Sequence, residues 1–313
     1  MSPFRVWILP LLALLLPFVG CSSARPRAAS RPAAALARPG DDVSHPGSHT
    51  EWWYVHAVEP GSGRTVIAVF FSAPLAAVGG FLYTPTRMAN WTALSSRRVQ
   101  VGPGVLLAAG GIRYESRRRA WLVEDRARGY RLHLVLSQTR PGITAGPLRF
   151  GSEEGSWTIP VATGRADGAI STPGGGRVVI RNWRAYHDHN WGTFALESRA
   201  YRGWEWAAVH EAPGSAWVLG GVNLLDGRFA GVLVRVTPTR TTACQPSIRR
   251  RRWASSGGFR IPLIVTASCN GRSVSFRVVR PYVVPLTTYA LSESVGRTDT
   301  PGSIGLIEHL ARR

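Results

Sequence analysis

From residue 50 onward, apolar and polar positions alternate in short runs separated by glycine and proline turns. In the stretch from Gly129 to Leu136, the side chains of Tyr130, Leu132, Leu134 and Leu136 share one face. Val232, Val234 and Val236 repeat the pattern after Ala230, and Val274, Phe276 and Val278 repeat it after Ser273. A period of two with one wet face belongs to antiparallel sheet. The same reading predicts strands over 51–58, 64–72, 119–125, 177–183, 192–199, 203–211, 217–225 and 259–268, and no long stretch holds a clean helical period. Many short strands between glycine turns predict an all-β protein of barrel or sandwich type. A turn-rich segment near 160–176 divides the folded part nearly in half. Each half opens on a Trp- and His-rich segment, Ser48 to Tyr54 in the first and Tyr186 to Gly192 in the second. Two β units are therefore expected, over 41–170 and 171–313.

The N-terminus adds a destination. Arg5 precedes an apolar run from Val6 to Val19 that Pro10 and Pro17 interrupt. A charged start followed by a short apolar run is the pattern of an export signal. The run falls short of the ~20 residues that a spanning helix needs. Phe18-Val19-Gly20-Cys21 is similar to a bacterial lipoprotein cleavage box, so residues 1–21 are read as a lipoprotein signal with Cys21 lipidated. Residues 22–40 alternate Ser, Ala, Arg and Pro and are read as a flexible linker. The expectation is an exported protein, lipid-anchored to the cell membrane on its extracytoplasmic face. In that oxidising setting Cys244 and Cys269, 25 residues apart, are expected to form a disulfide between neighbouring strands.

Charge excludes little. The formal net charge is +20, and every one of the 38 cations is arginine. An anionic membrane surface is a candidate partner. Nucleic acid is not, because no reading helix is apparent and the chain is expected to be exported. Arg117 to Arg119 and Arg249 to Arg252 read as strand-end loops.

Three polar-aromatic clusters carry the candidate chemistry. In extended chain, His187, His189 and Trp191 face one way, and Tyr186, Asp188 and Asn190 the other. Glu51 and Trp53 share a face opposite Trp52 and Tyr54, near His45, His49 and His56. Trp204 and Trp206 are in phase with His210. His187 and His189 with His49 or Asp188 would suit zinc by type, but no spacing completes a site, so no metal and no cofactor is expected. Gly-x-Ser-x-Gly and the dinucleotide glycine fingerprint are both missing from the sequence. Two readings stay open. One is a hydrogen-bonded polar network. The other is proton chemistry, in which a desolvated carboxylic acid protonates an alkene and aromatic faces stabilise the cation.

Glu51-Trp52-Trp53-Tyr54, then Tyr186-His187-Asp188-His189-Asn190-Trp191-Gly192, and the weaker Gly302-Ser303-Ile304-Gly305-Leu306-Ile307-Glu308, together resemble the carotenoid 1,2-hydratase (hydroxyneurosporene synthase) and AttH-like proteins. The resemblance implies two tandem lipocalin-like antiparallel β-barrel domains with an apolar pocket near their junction. It implies hydration of carotenoid double bonds, or isomerisation or cyclisation of natural products. It places His187, Asp188, His189 and Trp191 with Glu51 and Trp53 at the pocket, and calls for a further downstream acid, for which Asp226 is the nearest candidate. Asp188 is the expected acid, with His187 or His189 orienting it. Tyr186, Trp204, Trp206 and His210 are expected to line the ligand. The partner is then a hydrophobic small molecule, held by a carrier in a barrel cavity or turned over by a cofactor-independent hydratase, cyclase or isomerase. A structural component of a transporter-associated membrane complex is the third reading.

Overall fold

The computed structural model describes residues 34–312, except 74–76, 84–87, 95–99, 102–105, 110–111, 118–119, 128, 197, 257 and 286–288. Alternating sequence becomes strand almost throughout, and the one helical element among the described residues is a short 3-10 turn at Pro39–Asp42. In chain order the strands of the first sheet are β1 (Ala34–Leu36), β2 (Thr50–Val58), β3 (Thr65–Ala73), β4 (Ala77–Tyr83), β5 (Met88–Leu94), β6 (Gln100–Val101), β7 (Leu106–Ala109), β8 (Ile112–Arg117), β9 (Ala120–Ala127), β10 (Tyr130–Arg140), β11 (Ile143–Phe150), β12 (Glu153–Ser171) and β13 (Arg177–Gly192). Those of the second are β14 (Tyr201–Ala212), β15 (Ser215–Leu224), β16 (Phe229–Val236), β17 (Thr241–Cys244), β18 (Ser247–Ser256), β19 (Phe259–Cys269), β20 (Arg272–Arg280), β21 (Val283–Pro285), β22 (Tyr289–Arg297) and β23 (Ile304–Arg312).

The first sheet runs β5-β4-β3-β2-β13-β12-β10-β9-β8-β7-β6, and the second runs β17-β16-β15-β14-β23-β22-β20-β19-β18. This corrects the expected barrels: the fold is all-β with two large antiparallel sheets, but neither is closed. Closure requires the first and last strands to pair at a fixed stagger. Here β5 and β6, and likewise β17 and β18, hydrogen-bond on one side only among the described residues. The disulfide Cys244–Cys269 forms, with Cα atoms 6.4 Å apart. It does not join hydrogen-bonded neighbours. Cys244 lies on the first strand of the second sheet's path and Cys269 on the second-last, so the curled sheet is clipped covalently where a barrel would be laced by hydrogen bonds.

The turn at 172–176 joins β12 to β13, which pair in the same sheet, and the change of sheet falls at 193–200. The strand expected over 192–199 is therefore mostly connection, and β13 instead extends the expected 177–183 strand to Gly192. Gly192 has to be glycine, because a Cβ there would stand 2.1 Å from the Glu154 carbonyl oxygen. The arginine run 249–252 lies within β18, not in a loop, and Arg118 and Arg119 fall outside the described residues. The expected leader, Cys21 and residues 22–33 of the expected linker also lie outside them. Among the described residues no helix is long and apolar enough to cross a membrane.

Period two sorts the side chains into three layers. Trp53, Val55 and Ala57 of β2 and Trp183 and Ala185 of β13 pack inside the first sheet with Val123, Leu134 and Leu136. Val209, Leu219, Val265 and Phe276 pack inside the second. Between the sheets lies a third cluster, where Tyr54, Tyr83, Trp157 and Tyr186 meet Trp206, Ala208, Val218 and Leu306. The opposite faces of β2 and β13 thus look into different environments.

Candidate functional site

β2 and β13 pair in register, with Tyr54 opposite Asp188, Trp53 opposite His189 and Trp52 opposite Asn190. The face turned into the first sheet carries His187, His189 and Trp191 beside Glu51 and Trp53, as the alternation predicts. Asp42, at the end of the 3-10 turn, joins them. His187 Nδ1–H donates to the Tyr54 carbonyl at 2.9 Å, and its Nε2 stands 3.0 Å from Asp42 Oδ2. Trp121 Nε1 donates to the same Oδ2 at 2.9 Å. Burial works against the Asp42 charge, but His187, His189 and the Trp121 donor outweigh it and hold Asp42 below its ordinary pKa. Burial likewise disfavours a charged His187, yet Asp42 raises its pKa on balance. Each thus favours the charged form of the other.

Glu51 is tied more fully. Ser44 and Ser72 hydroxyls donate to Oε2 at 2.9 and 2.5 Å, and the His45 backbone N–H donates to Oε1 at 2.6 Å. His189 Nε2 lies 3.1 Å from that Oε1. Against the cost of burial, these bonds pull the Glu51 carboxyl far below the usual range. Burial lowers the His189 pKa and the nearby carboxylates only partly restore it. His189 stacks on Trp53 with ring centres 4.0 Å apart, and His45 on Trp191 at 3.8 Å. One nitrogen of His45, one of His189 and an oxygen of Glu51 lie within 4.8 Å of one another, the set among the described residues that could hold a metal ion.

The other face of β13 looks across to the second sheet and holds a different kind of acid. Asp188 accepts from Tyr186 Oη at 2.8 Å, Trp206 Nε1 at 3.2 Å and Asn190 Nδ2 at 3.0 Å. Burial nevertheless dominates these donors and pushes its pKa up to about 6. Glu293 of β22 and Glu308 of β23 face each other in register. Tyr54 and Tyr83 hydroxyls donate to Glu293 at 2.8 and 3.2 Å, and Trp204 Nε1 donates to Glu308 at 3.1 Å. Burial raises Glu293 to about 7, with the tyrosine donors opposing it. Burial, and then the Glu293 charge, hold Glu308 well above the ordinary carboxylate range. Among the described residues none of the three acids makes a salt bridge, although the His187 charge acts on Asp188 from across the strand.

Glu308 is desolvated by its surroundings and still keeps some exposed surface. So do Trp52 and Trp204, which lie side by side with ring centres 6.5 Å apart. The partly buried Val222 and Leu291 pack with Trp52 and Trp204 against one apolar cluster, and the Trp204 indole ties Glu308 to its wall.

The residues expected at one pocket are thus divided. Tyr186, Asp188, Trp204, Trp206 and His210 share the inter-sheet layer. Glu51, Trp53, His187, His189 and Trp191 lie across β13 from them, so neither histidine orients Asp188. Asp226 is corrected outright: it sits on an exposed turn, 49 % exposed, paired with Arg228 at 2.7 Å. A carboxylate in water with a guanidinium beside it stays ionised and touches no pocket. The histidine set weighed for zinc is not assembled either. His49 is exposed and Asp188 faces away; of that set only His189 is kept, grouped instead with His45 and Glu51.

Asp42, Tyr83, Glu293 and Glu308 were not singled out from the sequence. For the two glutamates a signal was there. Glu308 falls in phase with Ile304, Leu306 and Leu310, and Glu293 with Leu291 and Val295, so each puts an acid on the apolar face of a strand.

No family model and no curated protein matches the chain. Solved structures do. A Nitrosomonas europaea protein assigned as AttH superposes with a TM-score of 0.66 at 15% identity, over 88% of this chain and 97% of that one. Kievitone hydratase from Nectria haematococca gives 0.63 at 11% identity, over 88% and 93% of the two chains. CghA gives 0.56 at 11%, over 90% and 98%. At such identities the likeness is one of fold. The chain is built like AttH and kievitone hydratase over nearly their whole length, as its motifs led us to expect.

Proposed function

We propose that this protein is an enzyme that transfers a proton to a carbon–carbon double bond of an apolar small molecule, with Glu308 as the acid. The observation that carries this reading is the trio of Asp188, Glu293 and Glu308. All three are desolvated, none makes a salt bridge among the described residues, and tyrosine and tryptophan donors ring them beside an apolar cluster. Carboxyls held neutral by burial can donate protons near neutral pH.

Glu308 gives its proton to one alkene carbon and is left as a carboxylate. The neighbouring carbon becomes cationic, and the faces of Trp52 and Trp204 stabilise it. Glu293, opposite Glu308, prevents an uncompensated second charge by keeping its own proton, which Tyr54 and Tyr83 position. The cation then adds water, whose proton returns to Glu308, or loses a neighbouring proton to Glu308, or is captured by a second double bond to give a ring-bearing cation that loses its proton to Glu308. These endings are hydration, isomerisation and cyclisation, and each leaves Glu308 as it began. Asp188, held by three donors and 2 % exposed, is a fixed part of the wall.

A fold shared with a hydratase agrees with this chemistry, and so does a disulfide, which suits an exported chain in an oxidising compartment. The substrate class is an isoprenoid, polyketide or polyphenol with an isolated double bond. The test is a panel of such alkenes incubated with the protein in D2O. Deuterium should enter one carbon of a substrate with the wild type and be lost with Glu308→Gln. Equal incorporation by the two proteins would remove Glu308 as the acid. Tight binding without incorporation by the wild type would make the protein a carrier.

A further inference from the structure

We propose that His45, Glu51 and His189 bind a divalent transition-metal ion, zinc in the first instance, which pins the segment leading into the first sheet to its central strand pair. This site lies across β13 from the acids and is independent of the proton chemistry assigned to them.

Three donor atoms of the right kinds converge. Glu51 Oε1 stands 3.1 Å from His189 Nε2 and 3.4 Å from His45 Nδ1. Zinc binds imidazole nitrogen and carboxylate oxygen at about 2.0–2.2 Å. Around a tetrahedral ion, ligand atoms at that range stand roughly 3.4 Å apart. Two edges of such a tetrahedron are therefore already drawn, and the third, within 4.8 Å, needs only a small approach of His45. His45 Nδ1 has no hydrogen-bond partner although the atom is buried. Its neighbour Glu51 Oε1 stands 3.4 Å away without hydrogen-bond geometry, and an ion between the two atoms would satisfy both.

The surroundings hold each ligand in its pose. Both serine hydroxyls bond Oε2 of Glu51, which turns Oε1 toward the histidines. Asp42 Oδ1 lies 3.7 Å behind His189 Nδ1, on the far side of the ring from Glu51. The distance is too long for a hydrogen bond, but the negative charge behind the ring favours a cation on its Glu51 side. Trp53 and Trp191 clamp the two ring planes, at interplanar angles of 14° and 2°. The His45 side chain is 29% exposed, so of the three ligands it lies nearest to solvent, the side from which an ion would enter. Two nitrogens and one oxygen favour zinc or its neighbours over magnesium or calcium, which prefer all-oxygen shells. The three ligands come from the 43–49 lead, the start of β2 and the middle of β13. An ion joining them closes a loop of chain over the rim of the first sheet.

The test uses the full chain, stripped with a chelator and dialysed, then titrated with zinc or cobalt(II). The expected result is one tightly held equivalent per chain, and visible cobalt absorption of the tetrahedral type. At 100-fold excess over Kd, zinc should raise Tm by roughly 5–10 °C. His45→Ala and Glu51→Gln should lose all three responses while keeping the wild-type β signal in circular dichroism. Should Glu51→Gln fail to fold, His45→Ala decides alone, since its position is partly exposed. An unchanged Tm, no retained equivalent, or equal uptake by His45→Ala would overturn the site, the last by assigning the ion to surface histidines.

Discussion

Asp42 and Asp188 are both buried aspartates held against β13, one on each of its faces, and they behave in opposite ways. Asp42 meets the imidazole of His187 at 3.0 Å and is held ionised. Asp188 meets a phenol, an indole and an amide, accepts three hydrogen bonds, and still has its pKa pushed up to about 6. Neutral donors lower the cost of a buried charge without repaying it, whereas an opposite charge in contact does. Glu51 is held low by another route, a set of hydrogen bonds from serine, backbone and histidine donors denser than those Glu293 and Glu308 receive. One face of β13 is therefore a locked ionic layer, and the other holds acids with protons to give.

The largest effect that would break this contrast is on turnover. Glu308→Gln should lower kcat by about 10²- to 10⁴-fold, the usual worth of a general acid. Asp226→Asn, out on its turn, should leave turnover unchanged. If both variants kept full activity, the protonated face would have no chemical role.

Stability gives the next test. Asp42→Asn leaves the His187 imidazolium buried without its counter-charge and should cost about 3–5 kcal/mol in urea unfolding. Glu293→Gln replaces a group that is already neutral and should cost little at pH 6. Equal losses from the two would mean that charge does not distinguish the faces.

The pH profile sharpens it further. Glu293 has a folded pKa near 7 against an ordinary 4.5, so the fold favours its protonated form. Its stabilising contribution is complete below pH 4.5 and is lost as pH rises through 7. The change is on the order of 3 kcal/mol. Glu293→Gln should remove that part of the slope. A slope of opposite sign, or one that the substitution leaves alone, would show Glu293 to be ionised in the fold. The smallest effect is that of Tyr54→Phe. Without the 2.8 Å bond that favours the Glu293 carboxylate, the falling limb should move to higher pH by up to about one unit.

The sequence carried much of this arrangement and misassigned part of it. Alternation predicted that His187 and His189 would part from Asp188, and they do, because a pleated strand leaves no choice. The expected partnership between Asp188 and those histidines failed for that same reason: sequence neighbours on a strand are not neighbours in space. Asp226 was chosen for its place along the chain, yet a turn residue beside an arginine has water and a counter-charge to keep it ionised. The closed barrels failed because nothing local encodes closure. Whether β17 meets β18 depends on shear and twist summed over the whole sheet, and here a disulfide joins the curled ends.

What the chain determined unaided was strand, period and face, since side-chain direction on a strand is fixed by parity. It also determined which residues could be acids, histidines or aromatic walls. Only the tertiary structure decided which acids share a wall. Glu308 and Glu293 meet the aromatic donors because β22 and β23 pair in the second sheet and that sheet lies against β13. Protonation was decided there as well. A carboxyl's pKa depends on the water it loses and the charges it meets, and both are set by segments far away in sequence.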